Sequence, residues 1–341
     1  MKKSIYSTVI AVFALIVVAC ENDPITITHG VPVKVDPSGV ISPFTFEIYT
    51  GELESFDTEN KLRVRLLAYD SEGKLAASDS AFLTNYAAIL NSSIQLTEGT
   101  YTLIAITDVV KHASNRTTFE YWNLSNISDI NQVKVSDTGY IGGENKILGI
   151  ANQIITVTGS QMSTINLNPQ PSGALLCIRY LNIHQFSDVT KYELQTNRSS
   201  DYMTFDSYGK PVTVPENNNN QFDWRVSYIE PKSSYYINYN HIYSWNFMFP
   251  VSNANYRFVY STESVSNEVL YTDMIVTLNA GDEYVFMLDL CDEDNNNYIT
   301  HAYGKVNGTK STRSVELPNT PWLEKKIADS QHTARLKDLM K

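Results

Sequence analysis

The sequence predicts an all-β protein made of two tandem β-sandwich domains, and three observations carry that expectation. Apolar residues recur with a period of two, and the runs that show it are short and bounded by Asp, Asn, Gly and Pro turn signals. Near the middle of the 341 residues, two prolines and a glycine interrupt the pattern. Length alone points to two domains, and short strands with few helical stretches point to sandwiches.

At the amino terminus, Lys2 and Lys3 precede an apolar stretch from Val9 to Ala19 that ends at Cys20. A charged head, a short apolar run and a small residue at the cleavage point describe a secretory signal removed after export. The run is too short for a spanning helix, which needs about 20 apolar residues. Residues 1–19 are therefore read as a signal peptide cleaved between Ala19 and Cys20. The Cys directly after Ala19 resembles the bacterial lipobox, in which the thiol is acylated before cleavage. One acyl chain binds a bilayer only marginally, at about 0.8 kcal/mol per buried CH₂, whereas several chains make attachment effectively permanent.

Beyond the signal, Lys61 to Tyr69 alternates so that Leu62, Val64, Leu66 and Ala68 share one face, which predicts a half-buried strand. Asp70-Ser-Glu-Gly73 follows as a turn. Thr97-Glu-Gly-Thr100 leads into a strand over Tyr101 to Thr107, and Ala280-Gly-Asp282 leads into one over Glu283 to Leu290, with positive φ expected at Gly99 and Gly281. Further strands are expected at Phe44 to Tyr49, Ile154 to Thr158, Leu175 to Leu181, Arg257 to Tyr260 and Asp273 to Leu278. The interruption from Pro169 to Gly173 divides the chain into an amino-terminal sandwich over 20–168 and a carboxy-terminal sandwich over 169–319. Asn217 to Asn220 reads as a solvated loop. The stretch 320–341 reads either as a short helix, with Thr320 as cap and Pro321 at its first position, or as a tail.

Composition argues for a soluble body, with 43% hydrophobic and 18% charged residues. The formal net charge is -11, and it becomes two units more negative once Lys2 and Lys3 leave with the signal. Nucleic acid and anionic lipid are poor partners for such a surface. Cys177 and Cys291, the thiols other than Cys20, either pair in an oxidising compartment or stand apart as small buried hydrophobes.

No catalytic signature is present: Gly-x-Ser-x-Gly, His-Glu-x-x-His, a P-loop and a dinucleotide fingerprint are all missing. The six histidines are scattered without ligand spacing. No catalytic residue, metal ligand or cofactor is assigned. Asp289 to Asn297 offers oxygens at alternating positions as calcium loops do, but lacks the loop Gly and the closing Glu, so a solvated hairpin tip is the favoured reading. The aromatic run from Tyr235 to Phe247 can stack on sugar rings, although aromatics are also preferred simply as strand residues.

Several local patterns, taken in order, carry a family likeness. They are the lipobox-like Cys20; Tyr69 to Lys74; Glu98-Gly-Thr-Tyr-Thr-Leu103; Lys146-Ile-Leu-Gly149 before Ile154 to Val157; Leu175 to Leu181; Tyr192-Glu-Leu-Gln-Thr-Asn197; and Leu278 to Tyr284. In this order they resemble the FimB-like fimbrial anchor and accessory lipoproteins of the Bacteroidales fimbrillin superfamily. The resemblance implies two transthyretin-like β-sandwiches in tandem. It also implies an outer-membrane lipoprotein facing the cell surface, with Glu21 and Asp23 similar to the acidic export signal of such lipoproteins. Asp79-Ser-Ala81 looks like the short O-glycosylation acceptor of these bacteria. The implied role is non-enzymatic, as an anchor or accessory subunit that joins fimbrial pilin subunits by β-strand addition. A surface glycan-binding lipoprotein is the alternative, marked by an aromatic shelf rather than an open sheet edge.

Overall fold

The computed structural model describes residues 27–44, 60–113, 116–138, 146–159, 162–184, 187–197, 200–215, 222, 224–264, 266, 268–289 and 299–305. Among these, the amino-terminal strands are β1 (His29–Val35), β2 (Asn60–Tyr69), β3 (Leu75–Leu83), β4 (Leu90–Leu96), β5 (Gly99–Ala113), β6 (Arg116–Glu120), β7 (Trp122–Ser125), β8 (Lys134–Asp137) and β9 (Leu148–Val157). They are followed by β10 (Ile165–Leu167), β11 (Gln170–Pro171), β12 (Ala174–Leu181), β13 (Val189–Thr196), β14 (Ser200–Phe205), β15 (Pro211–Pro215) and β16 (Trp224–Ile229). The last are β17 (His241–Met248), β18 (Val251–Thr262), β19 (Glu268–Leu278), β20 (Glu283–Asp289) and β21 (Ile299–Lys305). A 3-10 turn at Pro37–Val40 is the one helical element among the described residues. The all-β expectation is met.

One six-stranded sheet, ordered β11-β9-β5-β2-β3 with β6 also paired to β5, is covered on both faces. On one side lies the three-stranded sheet β10-β1-β4, and Val31, Val33 and Val35 pack there against Val64, Leu66, Ala68, Leu103 and Ala105. On the other side Leu67, Tyr69, Ile104 and Ile106 meet Trp122, Val135, Met203 and Phe205 from the sheet β15-β14-β8-β7. The expected half-buried strand over 61–69 is thus corrected. Leu67 and Tyr69 on its second face are buried as completely as Leu66 and Ala68 on its first, because a third layer covers them. Fully burying a side chain of this size contributes about 1.5–3 kcal/mol, which is why the second apolar face needs its cover.

A second pair of sheets, β17-β12-β20-β21 and β16-β13-β18-β19, encloses its own core of Leu176, Ile178, Tyr180, Leu194, Tyr256, Phe258 and Phe286. Here β12 is buried along its whole length and forms the parallel pair with β20, from Leu175 opposite Glu283 to Leu181 opposite Asp289. Strand addresses expected from the sequence recur with longer bounds: 101–107 lies within the fifteen residues of β5, and 257–260 within β18. Gly99 and Gly281 adopt φ of +155° and +81°. Of the run 44–49, only Phe44 is among the described residues, outside any strand.

The segment 169–173 breaks the strand pattern as expected, holding only the two-residue β11, but it is tied into the fold rather than standing out as a linker. Gln170 and Pro171 pair with Ile150 and Gly149 of β9. The N–H of Ser172 donates to the Leu148 carbonyl oxygen at 2.9 Å, and its hydroxyl donates to the same oxygen at 3.0 Å. The Gly173 carbonyl accepts from the N–H of Gly281 at 2.8 Å. A Cβ on Gly173 would lie 2.3 Å from the Met248 carbonyl oxygen, so the close approach of β17 requires glycine there. The third layer likewise joins strands from both sides of the segment, since Tyr202 and Met203 of β14 pair with Ser136 and Val135 of β8.

Candidate functional site

Strand β3 is the terminal strand of the six-stranded sheet, paired to β2 from Leu62 opposite Leu83 to Tyr69 opposite Leu75. Its sequence, Leu-Ala-Ala-Ser-Asp-Ser-Ala-Phe-Leu, contains no proline, lysine or arginine. Those residues are the usual means of blunting an exposed edge against pairing with another chain. Ala77, Ala81 and Leu83 lean on the core while Ser78 and Ser80 are exposed. Asp79 is the one acid in the strand: its carboxylate accepts from the N–H of Ser80 at 2.8 Å and from the hydroxyl of Ser92 on β4. Ser80, the centre of the expected glycosylation motif, is therefore an exposed residue on this edge.

Three other terminal strands carry a blunting device or a side-chain tie, the tie being of the kind that Asp79 makes from β3 to Ser92, whereas β4, Leu-Asn-Ser-Ser-Ile-Gln-Leu, has no proline or basic residue. β15 begins and ends in proline, β19 is thrown out of register with β18 at three places, and β17 is tied to β16 by Asn246 Nδ2 donating to the Val226 carbonyl oxygen at 2.7 Å.

Behind β3 the sheet is stiffened by a buried charge cluster. Arg63 on β2 lies directly opposite Asp108 on β5. Its Nε and Nη2 donate to the two carboxylate oxygens at 3.0 and 2.7 Å, and Nη1 donates to Glu120. Burial alone would weaken the proton affinity of Arg63, but the two carboxylates more than reverse this and hold the guanidinium firmly charged. Such bidentate pairing needs arginine, since the fork matches a carboxylate.

The aromatic run is divided between two kinds of structure. Tyr235 to Tyr239 does not lie in a strand, as the strand reading expected. It sits in consecutive turns, with Tyr236 and Ile237 N–H groups donating to the Ser233 carbonyl and Tyr239 to that of Tyr236. Pro231, Ser233, Ser234, Asn238 and Asn240 supply the turn chemistry that signals this in the sequence. Only His241 onward enters β17. The two parts face one groove of about 430 Å³, in which the rings of Tyr235, Tyr239, Tyr243 and Trp245 are partly open. Tyr235 and Tyr239 are 73% and 55% exposed.

Cys177 is a free thiol, buried on β12, and burial pushes its pKa up to about 11. Ala19, Cys20, Glu21, Asp23 and Cys291 lie outside the described residues, as do 290–298 of the acidic hairpin tip and the 320–341 stretch. Among the described residues no helix is long and apolar enough to cross a membrane.

No family model matches the chain, and no curated protein matches it. Solved structures do. The fimbrial anchor protein Mfa2 of Porphyromonas gingivalis aligns at 9% identity over 86% of this chain and 100% of its own, with a TM-score of 0.48. A fimbrial assembly protein from Parabacteroides distasonis aligns at 9% identity over 81% and 96%, with a TM-score of 0.40. The tip fimbrial protein Mfa3 of Porphyromonas gingivalis, truncated at its carboxy terminus, aligns at 10% identity over 81% and 99%, with a TM-score of 0.38.

Proposed function

We propose that this chain is an outer-membrane lipoprotein of the fimbrillin superfamily, held by acyl chains on Cys20, that serves as an anchor or accessory subunit of a surface fimbria. Its partners are pilin subunits, and it joins them by strand addition along β3. The observation that carries the reading is the β3 edge: nine residues at the end of a sheet, without proline or basic residues, against a rigid backing. Main-chain pairing along such an edge supplies affinity, and the alternate side chains supply specificity. The ordered motifs of the sequence and the lipobox-like Cys20 support it independently, and it does not rest on the likeness to solved structures. From Cys20 to the first residue of β1 are nine residues, which reach at most about 30 Å when fully extended. A fimbria bound to the body is thereby held close to the bilayer.

Two variants in the native host test this. Cys20→Ala releases the protein from the membrane fraction after carbonate washing and sheds fimbriae into the medium. Ser78→Pro, placed on the edge strand where proline is tolerated, leaves the protein folded and membrane-bound but abolishes co-purification of pilin with the tagged protein. Membrane retention of Cys20→Ala removes the anchor, and undiminished pilin recovery with Ser78→Pro removes β3 as the joint.

A further inference from the structure

The groove between the 231–240 turns and β17 is a preformed wall of rings and hydroxyls that strand addition at β3 does not use. Two ring pairs line it: Tyr235 and Tyr239 with centroids 6.4 Å apart and planes inclined by 38°, and Tyr243 and Trp245 at 6.2 Å and 34°. Tyr236 braces the first pair from beneath, edge-on to Tyr235 at 4.7 Å, while packing against the second core. The Arg179 guanidinium stands 5.5 Å from the Tyr243 ring centroid and steadies the second pair.

The turn side is fixed to β12 through Asn182, which holds a φ of +57°. Asn240 Nδ2 donates to Asn182 Oδ1 at 3.0 Å, and the Ile183 N–H donates to the Asn240 carbonyl at 3.0 Å. The N–H of Asn182 donates to His241 Nδ1 at 3.3 Å, so neutral His241 carries its proton on Nε2 and offers a donor at the exposed end of the groove.

We propose that this groove binds a neutral oligosaccharide, its sugar faces stacked on the two ring pairs and its hydroxyls bonded to the tyrosine hydroxyls, Ser244 and His241. Sugars present an apolar C–H face and a polar rim, and amphipathic rings match both at once. Three features of the lining select this occupant. Its lining residues include no carboxylate, lysine or arginine, and the guanidiniums beside it are already engaged, Arg179 with the Tyr243 ring and Arg225 with the Tyr228 ring and Glu193. Its one aliphatic residue, Ile242, turns into the core, which leaves no aliphatic surface for an acyl chain or an apolar helix. The β17 edge beside it carries a side-chain tie to β16, Asn246 to the Val226 carbonyl, which a strand added there would have to accommodate.

The test is titration calorimetry on the full lipidated protein, in a detergent without a sugar headgroup, with cellohexaose, laminarihexaose, maltohexaose, mannohexaose and hexagalacturonate as probes. At least one neutral hexasaccharide binds, the acidic one binds more weakly, and Tyr235→Ala with Tyr239→Ala lowers affinity by about tenfold or more. Both rings are exposed, so an unchanged unfolding midpoint in the double variant shows that the loss is local. Tyr239→Phe keeps the stacking face and retains most of the affinity, and Tyr208→Ala, an exposed tyrosine elsewhere, retains all of it. Failure of every neutral probe, preference for hexagalacturonate, or undiminished affinity in the double variant overturns the proposal. Pilin recovery is independent of all these variants, so this site and the β3 joint stand or fall separately.

Discussion

Trp122 Nε1 donates to the Lys146 carbonyl oxygen at 2.6 Å, at a point where both halves of the chain meet. The indole is 1% exposed and packs on Phe249 at 4.9 Å and edge-on to Phe247 at 6.0 Å, residues contributed from beyond the 169–173 segment. Trp122→Ala is expected to lower stability by about 3–5 kcal/mol, through lost burial and a cavity that the sheets cannot close. Trp122→Phe keeps most of the packing but removes the hydrogen bond to the Lys146 carbonyl, at a cost of about 1–3 kcal/mol. Urea unfolding followed by circular dichroism measures both, and an unchanged stability of Trp122→Phe would deny the hydrogen bond its part.

The segment 169–173 is expected to resist proteolysis. Its backbone is paired with β9 and hydrogen-bonded to Leu148 and Gly281, and exposed, unpaired backbone is what proteases need. Limited digestion with a protease of broad specificity should leave a fragment that spans it. Two stable halves cut between Asn168 and Ala174 would contradict the observed pairing.

Asp108→Asn is expected to destabilise by about 3–5 kcal/mol, because it leaves Arg63 buried with one carboxylate fewer. The double variant Arg63→Met with Asp108→Leu should recover only part of that loss, since it removes both charges but takes Asp108 away from the buried Arg65, 3.4 Å from it, and Arg63 away from Glu120. A double variant less stable than either single one would mean the pair is net stabilising.

Cys177 gives a pH dependence with a definite sign. Its folded-state pKa is raised from 9.0 to about 11, so the folded state favours the neutral thiol. The corresponding stability is fully present below pH 9 and is lost as pH rises through about 11, where the folded thiol also ionises. In a Cys291→Ser background, Cys177 should resist alkylation at pH 8 in the folded protein and react promptly in urea. Rapid labelling without denaturant would show that β12 opens locally.

Much of the strand layout is legible in the sequence, because alternation and turn residues are local signals. The runs at 61–69, 175–181 and 283–290 lie where β2, β12 and β20 form. What covers a strand is not local. The third layer rests on two paired residues, Tyr202 with Ser136 and Met203 with Val135, which are far apart in the chain. A signal for it existed in Leu66-Leu67-Ala68-Tyr69, where continuous apolar character replaces alternation and marks burial on both faces. The groove was half legible: the aromatic residues are plain in the sequence, but their division between turns and strand was hidden until Pro231, Ser233 and Asn240 were seen closing turns. The β3 edge was not legible, because which strand ends a sheet depends on pairing across the whole chain.

The double cover of the central sheet has a consequence for biogenesis. Strands β2 and β5 cannot bury their second face until the chain has been extended past Phe205, and Phe247 and Phe249 complete the same core later still. While the chain is being made, the amino-terminal half therefore remains an open, adhesive intermediate until a further stretch of chain arrives. Such late, long-range closure slows folding and leaves sticky surface exposed in the meantime. A chaperone that shields Leu67, Ile104 and Trp122 during that interval would keep this intermediate from self-association.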